Sequence, residues 1–276
     1  MEISAFDLFC CNKSPQARVL PLYCEKVRFA IFPVPWPQAF CYYETIPCSR
    51  SRHQEFSMSA TVHPAVNVSN HPLVQHNLSI LRDKNTSTEQ FRATMTRLGK
   101  LIFMDATANL PMAKTIVETP ITKAECKILS PDVPILIAPI LRAGLILSEL
   151  AIDILPSASV YHIGLYRDEE TFKPVTYYNK LPSTIDYSVA QIFVLDPMLA
   201  TGGSAVAAVD IIKKLGTKAS NIRFVSIIAA PEGIQHLTEQ HTGIQIFTGA
   251  VDERLNDKAY IVPGLGDAGD RTFGTV

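Results

Sequence analysis

From His71 onward, apolar and polar positions fall into two alternating periods. Phe91, Met95, Leu98, Ile102 and Phe103 recur at helical spacing behind Asn85-Thr86-Ser87-Thr88-Glu89-Gln90, which holds two overlapping capping-box spacings. The pattern predicts an amphipathic helix running towards Ala108, with those apolar positions facing a core. After it, apolar runs and helical patterns take turns: strand Val133 to Ile140, helix Ala143 to Ile154, strand Val160 to Leu165, strand Gln191 to Leu195, helix Ser204 to Leu215, strand Phe224 to Ala229, helix Gly233 to His241, strand Ile244 to Phe247. Such alternation implies an α/β fold, a mainly parallel sheet with helices on both faces, whose ligands bind along the carboxyl edge of the strands.

Two stretches break the rhythm. Between Arg167 and Asp186 the chain makes an excursion with β-forming residues around Pro174, which predicts a projecting hairpin arm; a solvated surface hairpin is the plainer reading. Residues 1–57 show no sustained period, contain no glycine and are broken by prolines, Pro33, Pro35 and Pro37 among them, so neither a spanning helix nor a signal-peptide core is expected there. The expectation is a disordered extension or a gene-model artefact ahead of a domain at 58–276, with Met58 as an alternative start.

Composition narrows the function classes. With 25 Lys and Arg against 26 Asp and Glu the formal net charge is -1, which offers no electrostatic argument for a nucleic-acid or membrane-surface partner. No apolar run reaches the roughly 18 residues of a membrane span. Cys10, Cys11, Cys24, Cys41 and Cys48 cluster early and Cys126 stands alone, without zinc-type spacing; a reducing, cytoplasmic setting is the expectation.

The candidate chemistry sits where the third predicted strand ends. Ile192-Phe193-Val194-Leu195 leads into Asp196-Pro197-Met198-Leu199-Ala200-Thr201-Gly202-Gly203-Ser204, and a helical pattern follows at once. Unpaired N–H groups at a helix start, glycines that let the backbone approach, and two hydroxyls suit a phosphate, while a carboxylate at the strand end can accept hydrogen bonds from sugar hydroxyls. Taken alone, Thr201 to Ser204 could equally be an ordinary turn with Ser204 as an N-cap. Arg142, in Ile140-Leu141-Arg142-Ala143-Gly144 at the end of another strand, has the donor fork for a pyrophosphate, with a plain surface charge as its alternative. The glycine-dense tail Tyr260 to Thr275 can line a pocket with backbone groups, although composition alone would make it a frayed end.

The order of the run from Ile192 to Ser204 resembles the phosphoribosyl-pyrophosphate motif of type I phosphoribosyltransferases. Most of that superfamily has two adjacent acids where this chain has Asp196-Pro197, and the acid-proline variant resembles the uracil phosphoribosyltransferase family. Ile140 to Gly144, Tyr166-Arg167-Asp168-Glu169-Glu170-Thr171, the tail around Gly264-Leu265-Gly266-Asp267, and the opening His71-Pro72-Leu73 with Leu81-Arg82-Asp83 are similar to the same family, so the resemblance covers about His71 to Val276.

The resemblance implies a type I phosphoribosyltransferase fold with a projecting β-arm and a C-terminal base-binding hood, and the conversion of uracil and phosphoribosyl pyrophosphate to UMP and pyrophosphate. Asp196, Arg142 and Arg167 would carry the catalysis. Those three residues with Pro197, Met198, Leu199, Ala200, Thr201, Gly202, Gly203, Ser204 and Asp267 would bind phosphoribosyl pyrophosphate, and Ile261, Gly266, Asp267 and Ala268 would bind uracil. Magnesium is implied, held chiefly by the diphosphate and without evident protein ligands. The resemblance further implies a homo-oligomer and leaves GTP as a candidate effector. An RNA-binding pyrimidine-operon regulator on the same fold, or a transferase for another base, are the alternatives; the near-neutral charge opposes the first and the C-terminal run the second.

Overall fold

The computed structural model describes residues 63–167 and 174–275. The expectations for residues 1–57 and for the stretch 168–173 of the arm lie outside the described residues.

In chain order the elements are β1 (Val66–Val68), α1 (Pro72–Arg82), α2 (Thr88–Thr107), β2 (Met112–Glu118), β3 (Lys123–Leu129), β4 (Ile135–Leu141), α3 (Leu145–Ile154), β5 (Ser159–Val160), β6 (Ile163–Arg167), β7 (Pro174–Asn179), β8 (Gln191–Leu195), β9 (Met198–Leu199), α4 (Gly203–Lys213), β10 (Ile222–Val225), β11 (Ile228–Ala229), α5 (Pro231–Gln240), β12 (Gln245–Thr248), β13 (Ala250–Val251), β14 (Arg254–Leu255), β15 (Ile261–Val262) and α6 (Ala268–Phe273). The main sheet has the order β1-β12-β10-β8-β4-β6-β7, with β5 also beside β4. Every pairing in it is parallel except the last, where β7 runs back along β6 as the base of the expected arm.

Alternation along the central strands divides the core in two. Ile137, Phe193, Leu195, Val225 and Phe247 point to the face covered by α1, α2 and α3, while Leu136, Ala138, Ile192, Val194, Phe224 and Ile246 point to the face covered by α4 and α5. Both faces of these strands are buried, which is why they read as continuous apolar runs. Phe103 of α2 meets Phe193 of β8 at a ring-centroid distance of 5.0 Å, and neither side chain is reached by solvent. Ser87 caps α2, accepting a hydrogen bond from the Gln90 N–H at 3.2 Å, as the second of the two capping-box spacings predicts.

The strands are interrupted where the sequence suggested unbroken runs. The Phe224 to Ala229 run is two strands, β10 and β11, stepped at Ser226-Ile227, and β8 with β9 and β12 with β13 step likewise, so β13-β11-β9 forms a small parallel sheet of its own. Pro197, which has no N–H to donate, offers its carbonyl to the N–H groups of both Ile227 (2.9 Å) and Ile228 (3.2 Å) at this step. The Val160 to Leu165 run likewise divides into β5 and β6, which lie beside successive parts of β4.

Helix α1 and the hairpin β2–β3 are among the elements that the sequence reading did not place. Helix α1 starts from a histidine cap, with His71 Nδ1 accepting from the Leu73 N–H at 3.2 Å, in place of the usual Ser, Thr, Asp or Asn. The hairpin β2–β3 pairs with no other strand and exposes side chains on both faces, so no period-2 apolar signal marks it.

The core assignment makes a contrast within α2. Phe103→Ala should destabilise the protein by about 3–5 kcal/mol, whereas Asp105→Ala, two residues on and exposed near the helix C-terminus, should stay within about 0.5 kcal/mol. Urea unfolding of both variants checks this; equal effects would mean that the Phe103–Phe193 contact is not a core contact.

Candidate active site

The chain turns in opposite directions after β4 and β8. From β4 it crosses by α3 to β5 and β6 on one side; from β8 it crosses by α4 to β10 on the other. The carboxyl ends of these two neighbours therefore border a crevice that no connection closes, the place where open α/β sheets bind ligands. The register between them ends at Pro139 and Leu195. Gly144 fits just beyond: a Cβ there would lie 2.4 Å from the Leu195 carbonyl oxygen and 2.7 Å from backbone atoms of Ile140, so only glycine allows this approach. Arg142 stands on the rim of the crevice with an exposed side chain. Its Nη2 is 3.8 Å from Asp270 Oδ1 and its guanidinium lies 5.9 Å from the Phe273 ring centroid, both on α6.

Asp196 closes β8 from the other side. Its N–H donates to the Val225 carbonyl at 3.2 Å, and its carboxylate accepts from the Met198 backbone N–H. The side chain is only partly exposed, and the surrounding protein strips enough water from it to raise its pKa from 3.8 to about 7; the Met198 N–H lowers it and the charge of Asp267 raises it further. Near neutrality, then, this carboxyl exchanges its proton readily, and hydroxyl donors would draw it to the charged form.

Past β9, the turn at 200–203 rests on α5. A Cβ at Gly233 would lie 2.4 Å from the Ala200 carbonyl oxygen, and His236 Nδ1 is 2.9 Å from the Thr201 carbonyl oxygen. Gly202 takes φ +78°, a left-handed conformation that turns the chain into α4, and no side chain caps that helix. Its first N–H groups and the positive end of its dipole thus face the crevice. Ser204, a cap in the plainer reading, lies inside the helix, and the cap position belongs to Gly202.

The C-terminal run covers the crevice as a short hairpin, β14–β15, followed by α6. Asp267 is the N-cap of α6, accepting from the Asp270 N–H at 2.9 Å. Ala268 is buried. Ile261 turns its side chain into the core and pairs with Leu255 in the hairpin, and Gly266 adopts φ +80°.

A cleft of about 350 Å³ gathers Met198, Ala200 and Thr201 from the β8–α4 connection, Ala143 from the β4–α3 connection, and Asp267 and Ala268 from the tail. Three segments distant in sequence meet there. Of the candidate residues, Arg142, Asp196, Pro197, Leu199, Gly202, Gly203, Ser204, Ile261 and Gly266 do not line this cleft. Arg167 ends β6 beside β4, and its side chain is outside the described residues. A larger cavity, about 820 Å³, lies against α5 and residues 249–253, away from these loops, so size does not mark the site.

The sequence reading passed over Lys258 and Ala259, which line the cleft together with Tyr260, the first residue of the glycine-dense tail. Asn256 shapes this turn, its Oδ1 accepting from the N–H groups of Lys258 (3.0 Å) and Tyr260 (2.9 Å), and Ala259 is held at φ +61°. A non-glycine residue in that region costs free energy and is found at sites where the surrounding structure imposes it. Asn256-Asp257, a turn-forming pair, was the available signal.

Among the described residues no group of three or more His, Cys, Asp or Glu could hold a metal ion. Asp196 and Asp267, close enough for their charges to interact, fit a magnesium ion that arrives on a diphosphate and takes most of its oxygen ligands from it. No helix among the described residues is long and apolar enough to cross a membrane.

The uracil phosphoribosyltransferase family model matches residues 68–275. A uracil phosphoribosyltransferase from Dictyoglomus thermophilum is 55% identical over 208 residues, covering 75% of this chain and 98% of that protein. One from Streptococcus pneumoniae serotype 4 is 53% identical over 210 residues, 76% of this chain and 98% of its own. Among solved structures, that of the AQ2163 protein from Aquifex aeolicus agrees with a TM-score of 0.69 at 39% identity, over 75% of this chain and 97% of that one. Identity above one half along nearly the whole length of such relatives, with a family model matched over three quarters of the chain, leads to one conclusion: the chain belongs to the uracil phosphoribosyltransferase family.

Proposed function

We propose that this protein transfers the 5-phosphoribosyl group of phosphoribosyl pyrophosphate to uracil, giving UMP and pyrophosphate. The observation that carries the reading is the meeting of the β4 loop, the β8–α4 turn and the C-terminal hood around one cleft at the switch point of the sheet, in a chain of this family.

Each segment has a distinct task in this reading. Backbone N–H groups of 200–204 and the hydroxyls of Thr201 and Ser204 bind the 5-phosphate. Asp196 accepts hydrogen bonds from the ribose hydroxyls, whose donors favour its charged form. Arg142 and Arg167 hold the pyrophosphate, and Asp267 touches the sugar or diphosphate. As the bond from the anomeric carbon to pyrophosphate lengthens, positive charge grows on the sugar and negative charge on the leaving group, and the two arginines would stabilise the latter. Magnesium bound to the diphosphate would neutralise part of its charge. Uracil N1 bonds to the anomeric carbon as the bond to pyrophosphate breaks and gives up its proton to the departing pyrophosphate or to solvent, so no protein nucleophile is needed. The same resemblance carries the expectation of a homo-oligomer, and of GTP as a candidate effector.

Base choice follows from hydrogen-bond pattern. Uracil presents acceptor, donor, acceptor at O2, N3–H and O4; backbone groups around Ile261, Gly266 and Ala268 can answer, and cytosine would set like against like. The purified protein with phosphoribosyl pyrophosphate and magnesium should therefore make UMP from uracil and favour it over cytosine by as much as roughly 10⁴-fold, with orotate and hypoxanthine unused. RNA binding without UMP formation would point to the regulator instead. Gly266→Val should abolish uracil use while calorimetry still shows phosphoribosyl-pyrophosphate binding. Open space surrounds the glycine, with Arg271 Cδ 3.5 Å from an added Cβ, so the obstacle is the backbone at φ +80° rather than packing.

Asp196→Asn should lower turnover or substrate affinity about tenfold to a hundredfold, the loss of a charge-assisted hydrogen bond. Its effect on stability has the opposite sign. A carboxyl whose pKa rises from 3.8 to about 7 on folding stabilises the folded state most below pH 4, and this contribution is lost as pH climbs to about 7. The free Asn variant should accordingly melt above wild type at pH 8 and gain less at pH 4. Thermal unfolding at the two pH values checks it, and an equal shift at both would rule out a desolvated carboxyl.

A further inference from the structure

The loop from Gly264 to Gly266, the part of the hood next to the proposed base site, buries one side chain, Leu265, in the core and has two glycines beside it. It is held from outside by an ion pair. Asp252, between β13 and β14, is 5% exposed. Its Oδ1 accepts from Arg82 Nη2 at 2.5 Å, and its Oδ2 accepts from Arg82 Nη1 at 2.8 Å and from the Gly264 N–H at 2.9 Å. Arg82 Nη1 also donates to the Gly264 carbonyl at 2.9 Å. The N–H and C=O of one glycine are thereby both bonded to the two members of one bidentate pair. Arg271 continues the arrangement, donating from Nη1 to the Leu265 carbonyl at 2.6 Å and to the Leu81 carbonyl, and from Nη2 to the Asp83 carbonyl at 2.7 Å, with its guanidinium 4.3 Å from the Phe91 ring centroid. The end of α1, which lines none of the proposed substrate contacts, is thus tied to the backbone that would read the base.

Stability is a weak reason for such a pair, because buried ion pairs gain little over apolar packing of the same volume. Orientation is a stronger one, since a bidentate fork fixes direction as well as distance. We propose that Arg82 and Asp252 are positioning residues for uracil recognition: the pair fixes the Gly264 peptide groups and, through them, the donors and acceptors of 264–268, while touching neither substrate. The proposal rests on the reading that this loop takes the base.

The test compares Asp252→Asn, Arg82→Lys and Gly266→Val, with steady-state kinetics on uracil and cytosine and calorimetry of phosphoribosyl-pyrophosphate binding for each. Asp252→Asn, close in shape but uncharged, should raise KM for uracil about tenfold or more and lower the uracil-to-cytosine ratio, with phosphoribosyl-pyrophosphate affinity within about twofold of wild type. Arg82→Lys, which keeps the charge and the fold but loses the fork, should shift KM for uracil in the same direction by less. Normal KM for uracil in both variants, beside a Gly266→Val protein that cannot use uracil, would overturn the positioning role and leave the base loop standing. Normal uracil use in all three would remove the loop itself from base recognition. Equal losses of affinity for both substrates would also overturn the proposal, since they mark a general loss of fold.

Discussion

The parallel pairing of β4 with β8 is the interaction on which the rest depends. Five residues of each strand lie in register, from Ile135 beside Gln191 to Pro139 beside Leu195, and the pairing stops at a proline, which has no N–H to extend it. Beyond that point the two chains leave for opposite sides of the sheet. The opening between them is lined by whatever follows the last paired residues: Arg142 and Gly144 on one side, Asp196 and the turn into α4 on the other. Slipping one strand by one residue would turn each of its side chains into the opposite core, so two buried faces fix the site's geometry as firmly as they fix the fold.

Most of that frame was legible because burial on both faces writes a strong signal. The run Gln191 to Leu195 is a strand at the bounds its sequence suggested, and the Ser87 to Gln90 spacing caps α2. Other features left weak signals or misleading ones. The hairpin β2–β3 buries neither face, so its residues have no reason to alternate. The steps between β8 and β9, β10 and β11, and β12 and β13 depend on where neighbouring strands find donors, which no single segment records. Of the candidate site, the acid, the glycines and the rim arginine could be named from their place at strand ends. What could not be read was the contribution of partners far away in sequence: His236 beneath the Thr201 carbonyl, Lys258 to Tyr260 on the cleft wall, and Arg82 with Asp252 under Gly264. Arg82 stands in a run similar to the family's opening and Lys258 follows a turn signal, yet neither pattern tells which distant segment its residue meets, because the fold alone brings the two together.

The site also shows what its chemistry costs the fold. Asp196 is held where water is scarce and where Asp267 repels its charge, an arrangement that disfavours the carboxylate until a ligand supplies hydroxyl donors or a cation. Gly202 and Ala259 occupy backbone conformations that most residues avoid; Ala259 lines the cleft, and Gly202 follows Thr201, which does. Locally unfavourable groups therefore concentrate at one edge of a sheet whose two cores are well packed, which is where a binding site can accommodate them.

A crystal structure of the protein with UMP tests the central claim most directly. The account predicts the phosphate within about 2.7–3.2 Å of the backbone N–H groups at 202–204, the ribose hydroxyls on Asp196, and the uracil ring against the backbone of 261–268. A nucleotide bound with its phosphate away from the start of α4, or with its base outside the C-terminal hood, would contradict it.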